Sequence, residues 1–195
     1  MRLLLASASL RRADLLRAAG FSFDVHAAHV DERALPGETP SDYVVRLARD
    51  KARAAPMMPA HVVLGADTTV VAGDEMLAKP ASPDDARRMI RLLAGRRHEV
   101  LTGVAVRSGE GEFTGLETTR VEFAPLSNEE ITWYVDSGEP EGKAGGYAIQ
   151  GLASRFVTRV DGSYSNVVGL PVALVYRLLV QVGWREVSRI DPAQR

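Results

Sequence analysis

Leu3-Leu4-Leu5-Ala6-Ser7-Ala8-Ser9-Leu10-Arg11-Arg12 reads as a short buried strand, a turn of small residues and the first turn of a helix. The helix is expected to run to Ala19, with Gly20 in the capping position beyond its end. Ser9 is the candidate N-cap, and Ser7 brings a second hydroxyl to the turn. Unpaired backbone N–H groups give a helix start a partial positive charge. Arg11 and Arg12 in that first turn oppose the dipole. A bound polyphosphate would resolve the conflict; two solvated surface charges are the alternative.

Further along, Phe21-Ser22-Phe23-Asp24-Val25-His26 alternates like a strand and leads into the polar loop His29-Val30-Asp31-Glu32-Arg33. Thr39-Pro40-Ser41-Asp42 starts a helix, with a capping hydroxyl, Pro at the first helical position and an acid in the first turn. That helix is expected to end near Ala55. Tyr43, Val44, Leu47 and Ala48 make its apolar face, and Lys51 falls on the same face one turn on. Lys51 either snorkels to water or reaches an anion-binding cleft. His61 to Ala72 is the strongest strand signal, nearly continuous in apolar and β-branched residues, as in a strand covered on both faces. Asp67 interrupts it. A carboxylate there is costly to desolvate unless it is paired, hydrogen-bonded or bound to metal. Gly65 before it and the hydroxyls of Thr68 and Thr69 after it suit a strand end opening on a site. A buried Asp capping a neighbouring loop is the alternative.

The rest of the chain alternates in the same way. A hairpin through Gly73-Asp74 leads to Lys79, held in extended backbone by Pro80. Ser82-Pro83-Asp84-Asp85 opens a helix ending near Gly95. A strand is expected from His98 to Val106, a turn at Gly109 and Gly111, and a second strand over Thr118–Phe123. Ser127-Asn128-Glu129-Glu130 is a capping box whose helix runs to about Ser137. The stretch from Gly138 to Gly151 is dense in glycine, which permits close backbone approach to a ligand, yet it carries the apolar Tyr147 and Ile149. A strand follows around Phe156-Val157. Pro171 starts a last helix that ends near Gly183. Arg177 and Gln181 alone break its apolar surface, so it is expected to be deeply packed or part of a subunit interface. The tail after Trp184 is expected to fray.

The chain has 195 residues, 46% of them hydrophobic, and a formal net charge of −1, enough for one domain with a sizeable core. No basic run interleaved with aromatics suggests a nucleic-acid groove, and no nucleic-acid partner is expected. Cysteine is absent, which removes disulfides, thiolate nucleophiles and Cys metal sites together. The longest apolar run, Val167 to Tyr176, is too short to span a bilayer. The apolar core of the first eight residues is too short for a signal peptide, so a cytoplasmic protein without a membrane partner is expected. No Walker-type loop, dinucleotide fingerprint or Gly-x-Ser-x-Gly elbow occurs. His26, His29, His61 and His98 fall in no zinc-site spacing. Four basic side chains (Arg11, Arg12, Lys51, Lys79) and two isolated acids (Glu32, Asp67) remain, which is equipment for a metal-bound polyphosphate.

Together these pieces resemble the Maf family of nucleoside triphosphate pyrophosphatases. The likeness runs the length of the chain, through Ser7-Ala8-Ser9-Leu10-Arg11-Arg12, Asp31-Glu32, Lys51-Ala52, Gly65-Ala66-Asp67-Thr68, Lys79-Pro80, Gly142 to Gly151 and Gly162 to Pro171. Leu10 stands where the family usually has Pro. The resemblance implies one domain over residues 1–195. Its fold would be α/β of the inosine-triphosphatase-like kind: an elongated mixed sheet flanked by helices, with a cleft between two lobes. It also implies a homodimer and a divalent cation, Mg²⁺ or Mn²⁺. The expected reaction is hydrolysis of the α–β phosphoanhydride to a nucleoside monophosphate and pyrophosphate. Carried onto this sequence, Asp67 is the proton acceptor that activates water. Arg11, Thr68 and Gln150 match positions tied to base choice. Ser7, Arg12, Lys51 and Lys79 hold phosphates, and Glu32 joins Asp67 in holding the metal. The branch acting on 7-methyl-GTP has Trp at the place of Arg11 and lacks the glutamine, so the resemblance points to the branch acting on dTTP and UTP. The rival expectation, from the family's link to inhibition of septum formation, is a nucleotide-binding regulator without useful turnover.

Overall fold

The computed structural model describes residues 1–184; the tail expected to fray lies outside the described residues. The strands are β1 (Arg2–Leu5), β2 (Phe23–Val25), β3 (His61–Ala72), β4 (Glu75–Leu77), β5 (Arg97–Ser108), β6 (Gly111–Phe123) and β7 (Val157–Asp161). They form one mixed sheet in the order β2-β1-β3-β5-β6-β7, with β4 hairpinned onto the far half of β3. β1 runs parallel to β2 and β3, while the pairs β3–β5, β5–β6 and β6–β7 are antiparallel. The helices are α1 (Leu10–Ala18), α2 (Pro40–Ala54), α3 (Pro83–Leu93), α4 (Asn128–Asp136), α5 (Tyr164–Val168) and α6 (Val172–Gln181). The result is a mixed α/β fold with an elongated sheet flanked by helices.

Local chemistry sets most of these boundaries. Ser9, Thr39, Ser82 and Ser127 each accept a hydrogen bond from the backbone N–H three residues on, and Ser127 with Glu130 closes the capping box. Three expectations needed correction. β6 begins at Gly111 rather than Thr118, because pairing with β5 carries a strand through Gly115 where no alternation survives. The short helix α5 was not anticipated; Ser163 caps it by accepting from Asn166 N–H. Of the two readings of α6, deep packing does not hold within one chain: Leu174, Val175, Leu178 and Leu179 face the core while Tyr176 and Val180 are each 52% exposed.

Side-chain alternation along β3 and β5 sorts the core. Val63, Leu101 and Ala105 meet Val44, Leu47, Ala48 and Ala52 of α2 on one face. The other face carries two separate clusters. Leu64, Ala66, Val104 and Val106 pack with α1 and α6, while Val70 and Val100 pack with α3, α4 and the glycine-rich loop. Between them the face turns polar at one paired rung, Thr68 opposite Thr102.

The approach of α2 to the sheet is set by two glycines. A Cβ at Gly65 would run into the Ala48 carbonyl and the Ala52 amide, and one at Gly103 into the Val44 carbonyl. Those contacts are helix backbone, which cannot swing aside. Gly65→Ala is therefore expected to destabilise the fold by about 3 kcal/mol, at the upper end for overpacking. Urea unfolding checks this, and a stability equal to the parent's would contradict it.

His98 is buried among Phe123 and Tyr147, with Nε2 2.8 Å from the Tyr147 hydroxyl. Burial pushes its pKa down to about 4 from an ordinary 6.5. Above pH 6.5 the ring is neutral whether the chain is folded or not. As pH falls below that, the unfolded chain takes up the proton first, so stability declines until the folded value is passed near pH 4. The expected loss is roughly 3 kcal/mol over that window. His98→Gln keeps a partner for Tyr147 without titrating. It should remove this slope from the unfolding free energy measured between pH 4 and 7; an unchanged slope would refute the assignment.

Candidate active site

The polar rung marks the floor of a cleft of about 720 Å³. It opens beyond the carboxyl end of β1, where the chain turns into α1, the usual place for ligands in α/β sheets. All nine residues singled out from the sequence line it: Ser7, Arg11, Arg12, Glu32, Lys51, Asp67, Thr68, Lys79 and Gln150.

Asp67 and Thr68, adjacent on β3, point to opposite faces and organise opposite sides of the cleft. On the α2 side, Lys51 Nζ lies 2.6 Å from Asp67 Oδ1 and 2.6 Å from Glu32 Oε1. Lys51 and Asp67 are 7% and 8% exposed, so this is a buried ion pair whose third member, Glu32, reaches in from the loop after β2. Lys79 Nζ stands 3.5 Å from the other Glu32 oxygen. Burial pushes the Glu32 carboxyl upward, but Lys51 and Lys79 outweigh it and leave it below its ordinary value. Burial, then Asp67 and Glu32, push the neighbouring Tyr43 phenol up to about 12. Its hydroxyl donates to the Glu32 carbonyl at 2.9 Å. Arg46 clasps the same loop by pairing with Glu38 and donating to the Arg33 carbonyl. α2 thus carries both the lysine between the acids and the side chains that fix the Glu32 loop.

On the opposite side Arg12 is buried and its donors are largely committed. Nε donates to the Gly169 carbonyl at 2.8 Å, Nη1 to Ser7 Oγ at 3.2 Å and Nη2 to Thr68 Oγ1 at 3.1 Å. Thr68 Oγ1 also meets Thr102 Oγ1 at 2.9 Å. Ser7 Oγ accepts from Ser9 N–H at 3.2 Å. None of these acceptors is charged, so the guanidinium still projects positive potential while it ties β1, β3 and the turn after α5 together. A guanidinium has five N–H donors, so two remain for a ligand. Arg11, half-buried, has no hydrogen bond or ion pair among the described residues, and burial lowers its pKa. Gln150 is exposed at the cleft edge and likewise without a partner there.

Lys143 is a lining residue that sequence reasoning passed over. Its Nζ donates only to the carbonyl of Glu141, and its pKa is lowered by burial and by the charge of Arg11. Two cations facing one cleft and repelling each other mark a place that favours an anion. The signal was present in Gly142-Lys143-Ala144, but nothing local says which way that lysine faces.

Among the described residues no three His, Asp or Glu side chains group as a metal cage. The donor set nevertheless fits Mg²⁺ or a similar cation, which takes one or two carboxylates and completes its shell with phosphate oxygens and water. Asp67 Oδ2 makes no hydrogen bond among the described residues, and Glu32 stands beside it across Lys51.

The sequence model of the Maf-like protein family matches residues 2–182. A dTTP/UTP pyrophosphatase of Anaeromyxobacter dehalogenans (strain 2CP-C) is 54% identical over 187 residues, covering 94% of this chain and 95% of the relative. A dTTP/UTP pyrophosphatase of Koribacter versatilis is 54% identical over 184 residues, at 94% and 95% coverage. One of Geobacter sulfurreducens is 50% identical over 185 residues, covering 93% of this chain and 97% of its own. Matched from its first strand to the end of its last helix, the chain belongs to the family of Maf-like proteins.

Proposed function

We infer that this chain is a nucleoside triphosphate pyrophosphatase acting on dTTP and UTP. It would release the nucleoside monophosphate and pyrophosphate with the help of a divalent cation. Relatives named dTTP/UTP pyrophosphatase match it over nearly its whole length at about half identity. The observation that carries the reading is the buried Asp67–Lys51 pair opening onto a cleft whose far wall carries Arg11 and Lys143 without acidic partners.

In this reading the triphosphate lies across the cleft, met by Ser7 and Arg12 at the α1 turn, by Arg11 and by Lys79, while Lys51, which the resemblance also gives to phosphate, is engaged by Asp67 and Glu32. Glu32 and Asp67 would hold the cation, which neutralises polyphosphate charge and makes bound water more acidic. Asp67 Oδ2 either helps hold that cation or aligns the attacking water and draws off its proton; one oxygen does not do both at once. The new P–O bond forms at the α-phosphorus as the bond to the β-phosphate oxygen breaks. The leaving pyrophosphate gains negative charge, which the fixed cations of both walls stabilise. Lys51, between Asp67 and Glu32, holds the two acids apart until substrate arrives. Gln150, with an amide that both donates and accepts, meets the pyrimidine imide, and Arg11 and Thr68 shape the same end. Assembly as a homodimer belongs to the same reading and is checked by sedimentation.

The test is to incubate the pure protein and Mg²⁺ with dTTP, UTP, CTP, GTP and 7-methyl-GTP, resolving pyrophosphate from orthophosphate. Pyrophosphate from dTTP and UTP ahead of the others is expected. Preference for 7-methyl-GTP would move the chain to the other branch, and the absence of turnover on any nucleotide would leave a binding protein.

A further inference from the structure

Glu139 follows α4 and does not line the cleft, yet its carboxylate accepts three hydrogen bonds. Leu152 N–H donates to Oε2 at 2.8 Å, Ala153 N–H to Oε1 at 3.1 Å, and the Tyr134 hydroxyl to Oε1 at 3.0 Å. The two amides open the single 3₁₀ turn Leu152–Arg155, so the acid caps that turn with charge-assisted bonds. The approach is close: a Cβ on Gly151 would overlap the Glu139 carboxylate and push it off its place. Gly151 N–H in turn bonds the Ala148 carbonyl at 3.0 Å, closing a tight turn with Gln150 inside it. On the other side of Gln150, Ile149 and Tyr147 are anchored in the core. The backbone of Gln150 is thus pinned from behind by apolar burial and from in front by one carboxylate.

We propose that Glu139 is a positioning residue for base selection: it fixes the turn on which Gln150 stands and so sets where the amide meets the nucleobase. The proposal rests on the reading that Gln150 contacts the base. A side-chain amide discriminates only while its hydrogen bonds keep good distance and angle, and a displacement of about 1 Å at the backbone removes both. Glu139 is tied to the rigid α4 through buried Tyr134, so the turn inherits the position of that helix.

The measurement is the ratio of kcat/KM for UTP to that for CTP. Glu139→Ala is expected to lower this ratio by about tenfold, mainly through a higher KM for UTP. Glu139→Gln keeps one acceptor oxygen, enough for Ala153 N–H and the Tyr134 hydroxyl, but turns an NH2 toward Leu152 N–H. It should therefore recover only part of the loss and leave the ratio about threefold below the parent. Tyr134→Phe, which frees one side of the carboxylate, should lower it by about threefold. If Glu139→Ala and Tyr134→Phe reduce turnover of both nucleotides equally, Glu139 only supports the fold and the proposal is overturned. Should Glu139→Ala fail to fold, an unchanged ratio in Tyr134→Phe overturns it alone. Gln150→Ala separates the two layers. If it too keeps the parental ratio, Gln150 does not read the base and the proposal falls with that reading. If it lowers the ratio while the Glu139 and Tyr134 variants do not, the proposal alone fails.

Discussion

Asp67→Asn is expected to lower kcat for UTP by about 10³-fold while the protein stays folded. Asparagine keeps the shape of the side chain and still accepts from Lys51 Nζ through its amide oxygen. Lys51 retains Glu32 as an anionic partner 2.6 Å away. The cost to stability is therefore that of weakening one charged hydrogen bond, about 1–2 kcal/mol. Catalysis has no such reserve. Among the described residues that line the cleft, Asp67 is the one buried carboxylate, and its free oxygen is the group placed to hold the cation or align water. Single-turnover hydrolysis by the variant, beside its thermal melt, checks both halves. Turnover near that of the parent would remove Asp67 from the mechanism.

Lys51→Met is expected to act in the opposite sense, with a large effect on stability. Methionine fills nearly the same volume on the face of α2. The ammonium that separates Asp67 from Glu32 is lost, and one of the two acids left facing each other is buried. Removing one partner of a buried pair typically costs about 3–5 kcal/mol. Glu32 is 43% exposed at its side chain and solvent relieves part of the repulsion, so the lower end of that range applies. Two uncompensated carboxylates also make a better seat for a divalent cation. Millimolar Mg²⁺ should therefore raise the melting temperature of the variant more than that of the parent. A variant that melts like the parent, with or without Mg²⁺, would show that Lys51 holds neither acid in place.

Much of this was legible in the sequence because the deciding signals are local. Ser9, Thr39-Pro40, Ser82-Pro83 and Ser127 with Glu130 announce helix starts within four residues of themselves, and His61–Ala72 announces a central strand by composition alone. Asp67 stood out because a carboxylate in such a run needs a reason. What the sequence could not give is partnership across distance. Lys51 is 16 residues from Asp67, and only the close approach of α2 over Gly65 and Gly103 makes them a pair. Arg12 read as a free cation at a helix start, yet its guanidinium is bound to Gly169, 157 positions away. Lys143 and Glu139 lie close together in one glycine-rich stretch, and nothing in that stretch says that one faces the cleft while the other grips the turn behind it. The sequence of α6 left deep packing and a subunit interface both open, because an apolar helix looks the same whatever its second face meets.

The central claim is that this cleft directs water to the α-phosphorus of a nucleoside triphosphate. Hydrolysis of UTP in ¹⁸O-labelled water, with both products analysed by mass spectrometry, tests it most directly. The account predicts label in UMP and none in pyrophosphate. Label in pyrophosphate, or release of orthophosphate in place of pyrophosphate, would contradict it.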